Sequence, residues 1–255
     1  MTRDVAESKG MTMADEAGGI ATQSGAGSPD TTDKCPGSGA ASNGAGGNGA
    51  ASNGTGDLVV SAFERRVAPA QDLVEHAAEL TDAAHAMAMR FNQGGKLLVF
   101  GIGGACTDAQ HVAVEFVHPV IVGKRALPAI SLTSDVATLT AIAARSGLSE
   151  VFAHQLKYLA QPADIALGIS VDGDCPSVLA GLLTAREAGL LTVALAGHGG
   201  GTIAAKSGAE HLLTVQSTDR CVIKEIQVTT YHLLWELVHV FLEQPSVLSQ
   251  GKATP

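Results

Sequence analysis

The chain has 255 residues and carries 16 Lys and Arg against 25 Asp and Glu, a formal net charge of −9 with histidine neutral. That balance disfavours broad attachment to nucleic acid or to an anionic membrane, and no apolar run is long enough to cross a bilayer. Cys35, Cys106, Cys175 and Cys221 lie far apart with no C-x-x-C pair, which excludes a zinc ribbon or finger. With no secretion signal after Arg3, a reduced cytoplasmic compartment is expected.

Residues 1–56 contain no aromatic residue and nearly half of the 30 glycines. Such a segment buries too little apolar surface to offset the entropy of ordering it, so it reads as a flexible tail. From Val59 to Phe91 apolar residues recur at helical spacing. Phe63, Val67, Leu73, Val74, Ala77, Leu80, Ala84, Met87 and Phe91 form the stripe. Pro69 marks a break or the first turn of a second helix, and Gly94-Gly95 ends the stretch.

Short apolar strands then alternate with helices. The strands are expected at Lys96–Phe100, Ala129–Leu132, Ile165–Ser170, Thr192–Ala196 and His211–Val215. Helices are expected at Thr107–Phe116, Val136–Ala144, Val151–Leu159, Ser177–Ala188, a short turn near Thr202–Lys206, and a closing helix from Arg220 to Leu242. Strands that are apolar throughout and separated by helices predict an α/β fold, with a parallel sheet covered on both faces. Ligands of such sheets bind at the carboxyl ends of the strands. The loops Gly101–Ala105, Thr133–Asp135 and Ser170–Ser177 lie there.

The first of these loops is the most informative. Gly101-Ile102-Gly103-Gly104 leads a strand into a helix N-terminus, where backbone N–H groups and the helix dipole favour an anion. It is not a dinucleotide fingerprint, because position 106 is cysteine, and no Gly-Lys-Ser/Thr follows to make a P-loop. The same glycines could simply permit tight strand–helix packing. His111 and Glu115 share one face of the helix that follows. An imidazole and a carboxylate beside an anion cradle suit proton transfer on a phosphorylated small molecule, but the pair also suits an ordinary solvated face. His232 lies in the closing helix among Ile226, Leu233, Trp235, Glu236, Leu237, His239 and Val240, where a core histidine with satisfied hydrogen bonds is the plainer reading. Gly197–Thr202 is a second glycine turn, either an anion site or a hinge for packing.

Gly94–Glu115, Ser134-Asp135-Val136 through Gly147 and Phe152, Asp164–Ser170, Leu182–Leu190 and Lys224–His232 together resemble the sugar isomerase (SIS) domain, and within it the phosphoheptose isomerases. The resemblance spans residues ~59–243. It implies a three-layer, flavodoxin-like fold with a five-stranded parallel sheet at 94–245, N-terminal helices at 57–93 in an oligomer interface, and a C-terminal tail at 246–255. It implies a homotetramer with shared active sites and a sugar phosphate or carbohydrate derivative as ligand, with no nucleic acid or membrane partner. The reaction implied is aldose–ketose isomerisation through an enediolate, with Glu115 as base and His232 as acid. In some members His111, Glu115 and His232, with a glutamine, bind zinc. Gly103, Gly104, Ala105, Asp108, Ser134, Asp135, Ser170, Asp172, Gly173, Asp174 and Lys224 match ligand-contacting positions.

Several of these positions depart from the family pattern. Ile102 and Ala105 replace an asparagine and a serine. Ser170-Val171-Asp172-Gly173-Asp174-Cys175 replaces a hydroxyl-rich phosphate loop. Ala144-Arg145 replaces Asn-Asp, and Lys224 replaces the glutamine. Carboxylates beside a phosphate dianion repel it and offer acceptors where donors are needed. Asp172 and Asp174 are therefore expected either to pair with Arg145 and Lys224 or to receive a cationic group such as an amine. A solvent-facing loop that has simply drifted is the third reading. The family also includes a non-catalytic regulator of replication initiation, so a ligand-sensing or protein-binding scaffold is the alternative function.

Overall fold

The computed structural model describes residues 51–244 and 246. The tails expected at 1–56 and 246–255 fall mostly outside the described residues. The elements run α1 (Ala51–Glu75), α2 (Ala77–Asn92), β1 (Leu97–Gly101), α3 (Ala105–Val117), β2 (Ala129–Ser131), α4 (Val136–Ser146), α5 (Val151–Leu159), β3 (Ile165–Ser170), α6 (Pro176–Glu187), β4 (Leu191–Gly197), α7 (Gly201–Ala205), β5 (His211–Val215) and α8 (Arg220–Glu243). Single turns of 3₁₀ helix precede α5 and α7.

Helix α1 begins at Ala51, so it takes in residues 51–56 that composition assigned to the tail. It also continues through Pro69, and the helical run breaks instead at His76 (φ −95°, ψ 22°). The missing proline N–H removes one hydrogen bond. Tertiary contacts hold the helix on both sides of that gap. Arg66 donates to Glu225 of α8 at 2.8 Å, and Leu73 packs against the Val222–Ile223–Ile226 cluster.

The sheet order is β2-β1-β3-β4-β5, and every pairing is parallel. All residues of β1, β3 and β4 are buried, which is why their sequences are apolar without alternation. Successive side chains still point to opposite faces. Leu97, Val99, Leu167, Ile169, Val193 and Leu195 meet α2, α3 and α8 on one face; Leu98, Phe100, Ala166 and Ala194 meet α5 and α6 on the other. Gly168 sets the second spacing, because a Cβ there would stand 2.8 Å from Val178 Cγ1. Truncating the buried Phe100 ring, whose centroid lies 5.0 Å from that of Phe152, would cost about 3–5 kcal/mol.

Asp164 pins the amino ends of the strands. Its carboxylate accepts from Lys96 N at 2.9 Å and Gln161 N at 2.8 Å, and it pairs with the Lys96 ammonium. Those three donors satisfy a buried charge at the end of the sheet opposite the Gly101–Gly104 corner.

Candidate functional site

Strand β1 is flanked by β2 and β3, and the chain leaves β1 towards one face and returns from β2 over the other. The crevice beyond Gly101 and Ser170 is therefore the topological switch point of the sheet. At the first corner the packing reading holds for Gly101. A Cβ on Gly101 would lie 2.6 Å from Ala105 Cβ and 2.9 Å from Ile169 O, so this glycine serves strand–helix packing. Gly103 (φ +63°) and Gly104 are exposed, with open space where a side chain would be.

Helix α3 turns Asp108, His111 and Glu115 towards α8, and the two helices meet in three polar rungs. Lys224 Nζ donates to Asp108 Oδ2 at 2.6 Å and to Gly104 O at 3.1 Å. The Tyr231 hydroxyl lies 2.9 Å from His111 Nδ1. Trp235 Nε1 donates to the backbone oxygen of Glu115 at 2.9 Å. His232 completes the cluster, its ring centroid 5.1 Å from that of His111. His111 Nε2 stands 3.2 Å from Glu115 Oε1, and one ligating atom from each of His111, Glu115 and His232 lies within 4.8 Å of the others. Burial, with the Asp108 and Glu115 carboxylates, pushes the Tyr231 phenol well above its ordinary range, so it stays protonated.

The core-histidine reading belongs to His239 rather than His232. His239 is buried, with Nδ1 2.8 Å from Trp235 O and Nε2 3.0 Å from Arg125 O. Tyr231 was not singled out from the sequence. A tyrosine in an apolar helical stripe reads as core, and the only local signal was its place beside His232.

The second loop, after β3, spends its donors internally. Ser170 is buried; its Oγ donates to Asp172 Oδ1 at 3.2 Å and accepts from Gly173 N at 3.0 Å. Asp172 Oδ1 also accepts from Asp174 N at 3.0 Å. Asp174 Oδ1 accepts from the Thr202 hydroxyl at 2.5 Å and the Thr202 N–H at 2.7 Å. The hydroxyl first, then the N–H, hold that carboxyl below its usual range.

The pairing expected of Asp172 and Asp174 with Arg145 and Lys224 does not form within the subunit. Lys224 goes to Asp108, and Asp172 has Arg220 at 3.9 Å. Asp174 finds backbone and hydroxyl donors at the start of α7. Arg145 lines a cavity of ≈350 Å³ with Thr138, Ala141, Ile142 and His154, between α4 and α5. Asp135 caps α4, accepting from Thr138 N at 3.0 Å, and Ser134 beside it is exposed. Gln227 donates to Ser170 O at 2.9 Å, and its Oε1 is a buried acceptor with no hydrogen-bond partner among the described residues.

Zinc in catalytic sites takes three protein ligands and keeps a position open. Two imidazoles and a carboxylate fit that donor set. The 3.2 Å between His111 Nε2 and Glu115 Oε1 is close to the edge of a tetrahedron with bonds of about 2.0 Å, roughly 3.3 Å. Lys224, in place of the glutamine, cannot ligate while protonated.

Comparison with known proteins agrees with this architecture. Residues 63–197 match the family model described as the SIS domain. The phosphoheptose isomerase of Desulfovibrio desulfuricans is 42% identical over 168 residues, covering 66% of this chain and 79% of that protein. That of Thermodesulfovibrio yellowstonii is 36% identical, covering 77% of this chain and 98% of the relative. The solved phosphoheptose isomerase of Neisseria gonorrhoeae superposes with a TM-score of 0.66 at 30% identity, covering 72% of this chain and 98% of the other.

Proposed function

The chain belongs to the SIS-domain family, and on that premise we propose that it is a phosphoheptose isomerase-like enzyme interconverting the aldose and ketose forms of a phosphorylated sugar. The single observation that carries the reading is the meeting of Glu115 and His111 on α3 with His232 on α8 in one polar cluster between the two helices. Segments so far apart in the chain need not converge for stability alone.

In the ketose-to-aldose direction, Glu115 takes a proton from C1 while His232 gives one to the carbonyl oxygen on C2. The enediol then gives its O1 proton back to His232, and the proton held by Glu115 returns to C2. No atom is gained or lost. His111, 3.2 Å from Glu115, holds the carboxylate in place. His111, Glu115 and His232 would hold a zinc ion, which as a Lewis acid would polarise the reacting oxygens. Sedoheptulose 7-phosphate is the substrate to test. Wild-type protein should form the aldose, and Glu115→Gln should not; turnover that survives this change would remove Glu115 as base.

The acting form is a homo-oligomer, a tetramer by analogy with the family, in the cytoplasm. Leu58, Val59, Val60, Phe63, Val67 and Val74 of α1 are exposed in the single chain, a band of apolar surface that a second copy would cover. The other reading is a non-catalytic ligand sensor or scaffold. It is favoured by the β3–α6 loop, where the Ser170 hydroxyl and the Asp174 N–H are taken by Asp172 rather than left for phosphate.

A further inference from the structure

We propose that Tyr231 is a positioning residue for His111: its phenol holds the imidazole in one orientation and one tautomer, with Nδ1 as acceptor and the Nε2–H turned to Glu115. The proposal rests on reading the α3–α8 cluster as the active centre.

A histidine side chain has two ring nitrogens, and the partner of one decides what the other presents. His111 is half-exposed, with 43% of its side chain open to solvent, and its Nε2 faces Glu115 Oε1. Alone, such a ring could flip or change tautomer. Tyr231 prevents both. It is 2% exposed and belongs to the core formed with Leu234 and Trp235, so its ring is fixed by packing. Its hydroxyl is 2.9 Å from His111 Nδ1, and the rings meet edge to face with centroids 5.5 Å apart. Where the phenol donates, Nδ1 accepts, and the ring proton then sits on Nε2, 3.2 Å from Glu115 Oε1. Trp235, one turn further along α8, binds the backbone oxygen of Glu115, so one helix sets both members of the pair. Were a cation held on Nε2, the phenol oxygen would instead accept from Nδ1–H, so the donating arrangement belongs to the metal-free protein.

The test is nitrogen-15 spectroscopy of histidine-labelled full-length protein, freed of metal with a chelator, at about pH 8, where a free imidazole is neutral. The His111→Gln spectrum identifies the His111 signals. Wild-type protein should show His111 as a single Nε2–H tautomer. Tyr231→Phe, which keeps the buried ring, should show mixed tautomers and a kcat lowered about tenfold or more at little-changed KM. Mixed tautomers already in wild-type protein, or the same single tautomer in Tyr231→Phe, would overturn the proposal. Wild-type protein that leaves the sugar phosphate unconverted overturns the isomerase reading instead, and the spectrum still decides the role of Tyr231.

Discussion

Lys224 Nζ lies 2.6 Å from Asp108 Oδ2, joining the second turn of α8 to the first turn of α3 across 116 residues of sequence. Asp108 is the buried partner, with 7% of its side chain exposed against 41% for the lysine. A buried carboxylate needs this cation more than the lysine needs the carboxylate.

That asymmetry predicts unequal effects. Lys224→Ala strands a charge and should destabilise the chain by about 1–2 kcal/mol, below the 3–5 of a fully buried pair because solvent screens the lysine. Asp108→Asn removes the charge that needs pairing and should cost less. In denaturant unfolding the double variant should be more stable than the sum of the single losses predicts. Strict additivity would show the pair to be energetically idle.

Glu115→Gln preserves shape and removes the proposed base. Turnover of sedoheptulose 7-phosphate should fall by roughly 10²–10⁴, with thermal stability near wild type. His232→Gln should act similarly by removing the acid. A fall in only one of the two would leave the other without its assigned role.

Asp172 lies two residues beyond the end of β3, where its charge would oppose the phosphate of the proposed substrate. Two like charges ~5 Å apart at an effective dielectric of ~20 repel by about 3 kcal/mol, an upper bound for a side chain this exposed. Asp172→Ser should therefore raise affinity for a sugar phosphate roughly tenfold to a hundredfold in calorimetry. An unchanged affinity would remove the electrostatic account of this loop.

Asp135 and Asp174 cap α4 and α7, and their hydrogen bonds to Thr138 and Thr202 hold both carboxyls below the ordinary aspartate range. A depressed folded-state pKa stabilises the fold above the unfolded value, and that stability is lost as the pH falls through the folded one. The chain should lose stability on acidification below about pH 4. Asp135→Asn and Asp174→Asn should flatten that limb of a melting-temperature profile. A profile identical to wild type would remove these caps as its source.

Zinc offers a direct reading of the cluster. If His111, Glu115 and His232 bind it in the folded state only, added zinc raises the melting temperature in a concentration-dependent way. The shift should vanish in His232→Ala. A shift that persists there would place the ion elsewhere.

The sequence alone determined the sheet and the first corner. Short apolar runs without alternation, bounded by turn residues and separated by helical segments, read as strands covered on both faces, and β3 begins and ends where its run does. The His111–Glu115 pair followed from helical geometry within one element. Tertiary structure decided what stands opposite. Nothing local tells α8 to lie along α3, so it was packing that brought His232 to Glu115, gave Lys224 to Asp108, made Tyr231 a partner of His111, and kept α1 helical through Pro69. Local periodicity reports on neighbours three or four residues away. The chemistry here depends on contacts across more than a hundred, and those form only when the covered faces of the sheet choose their helices.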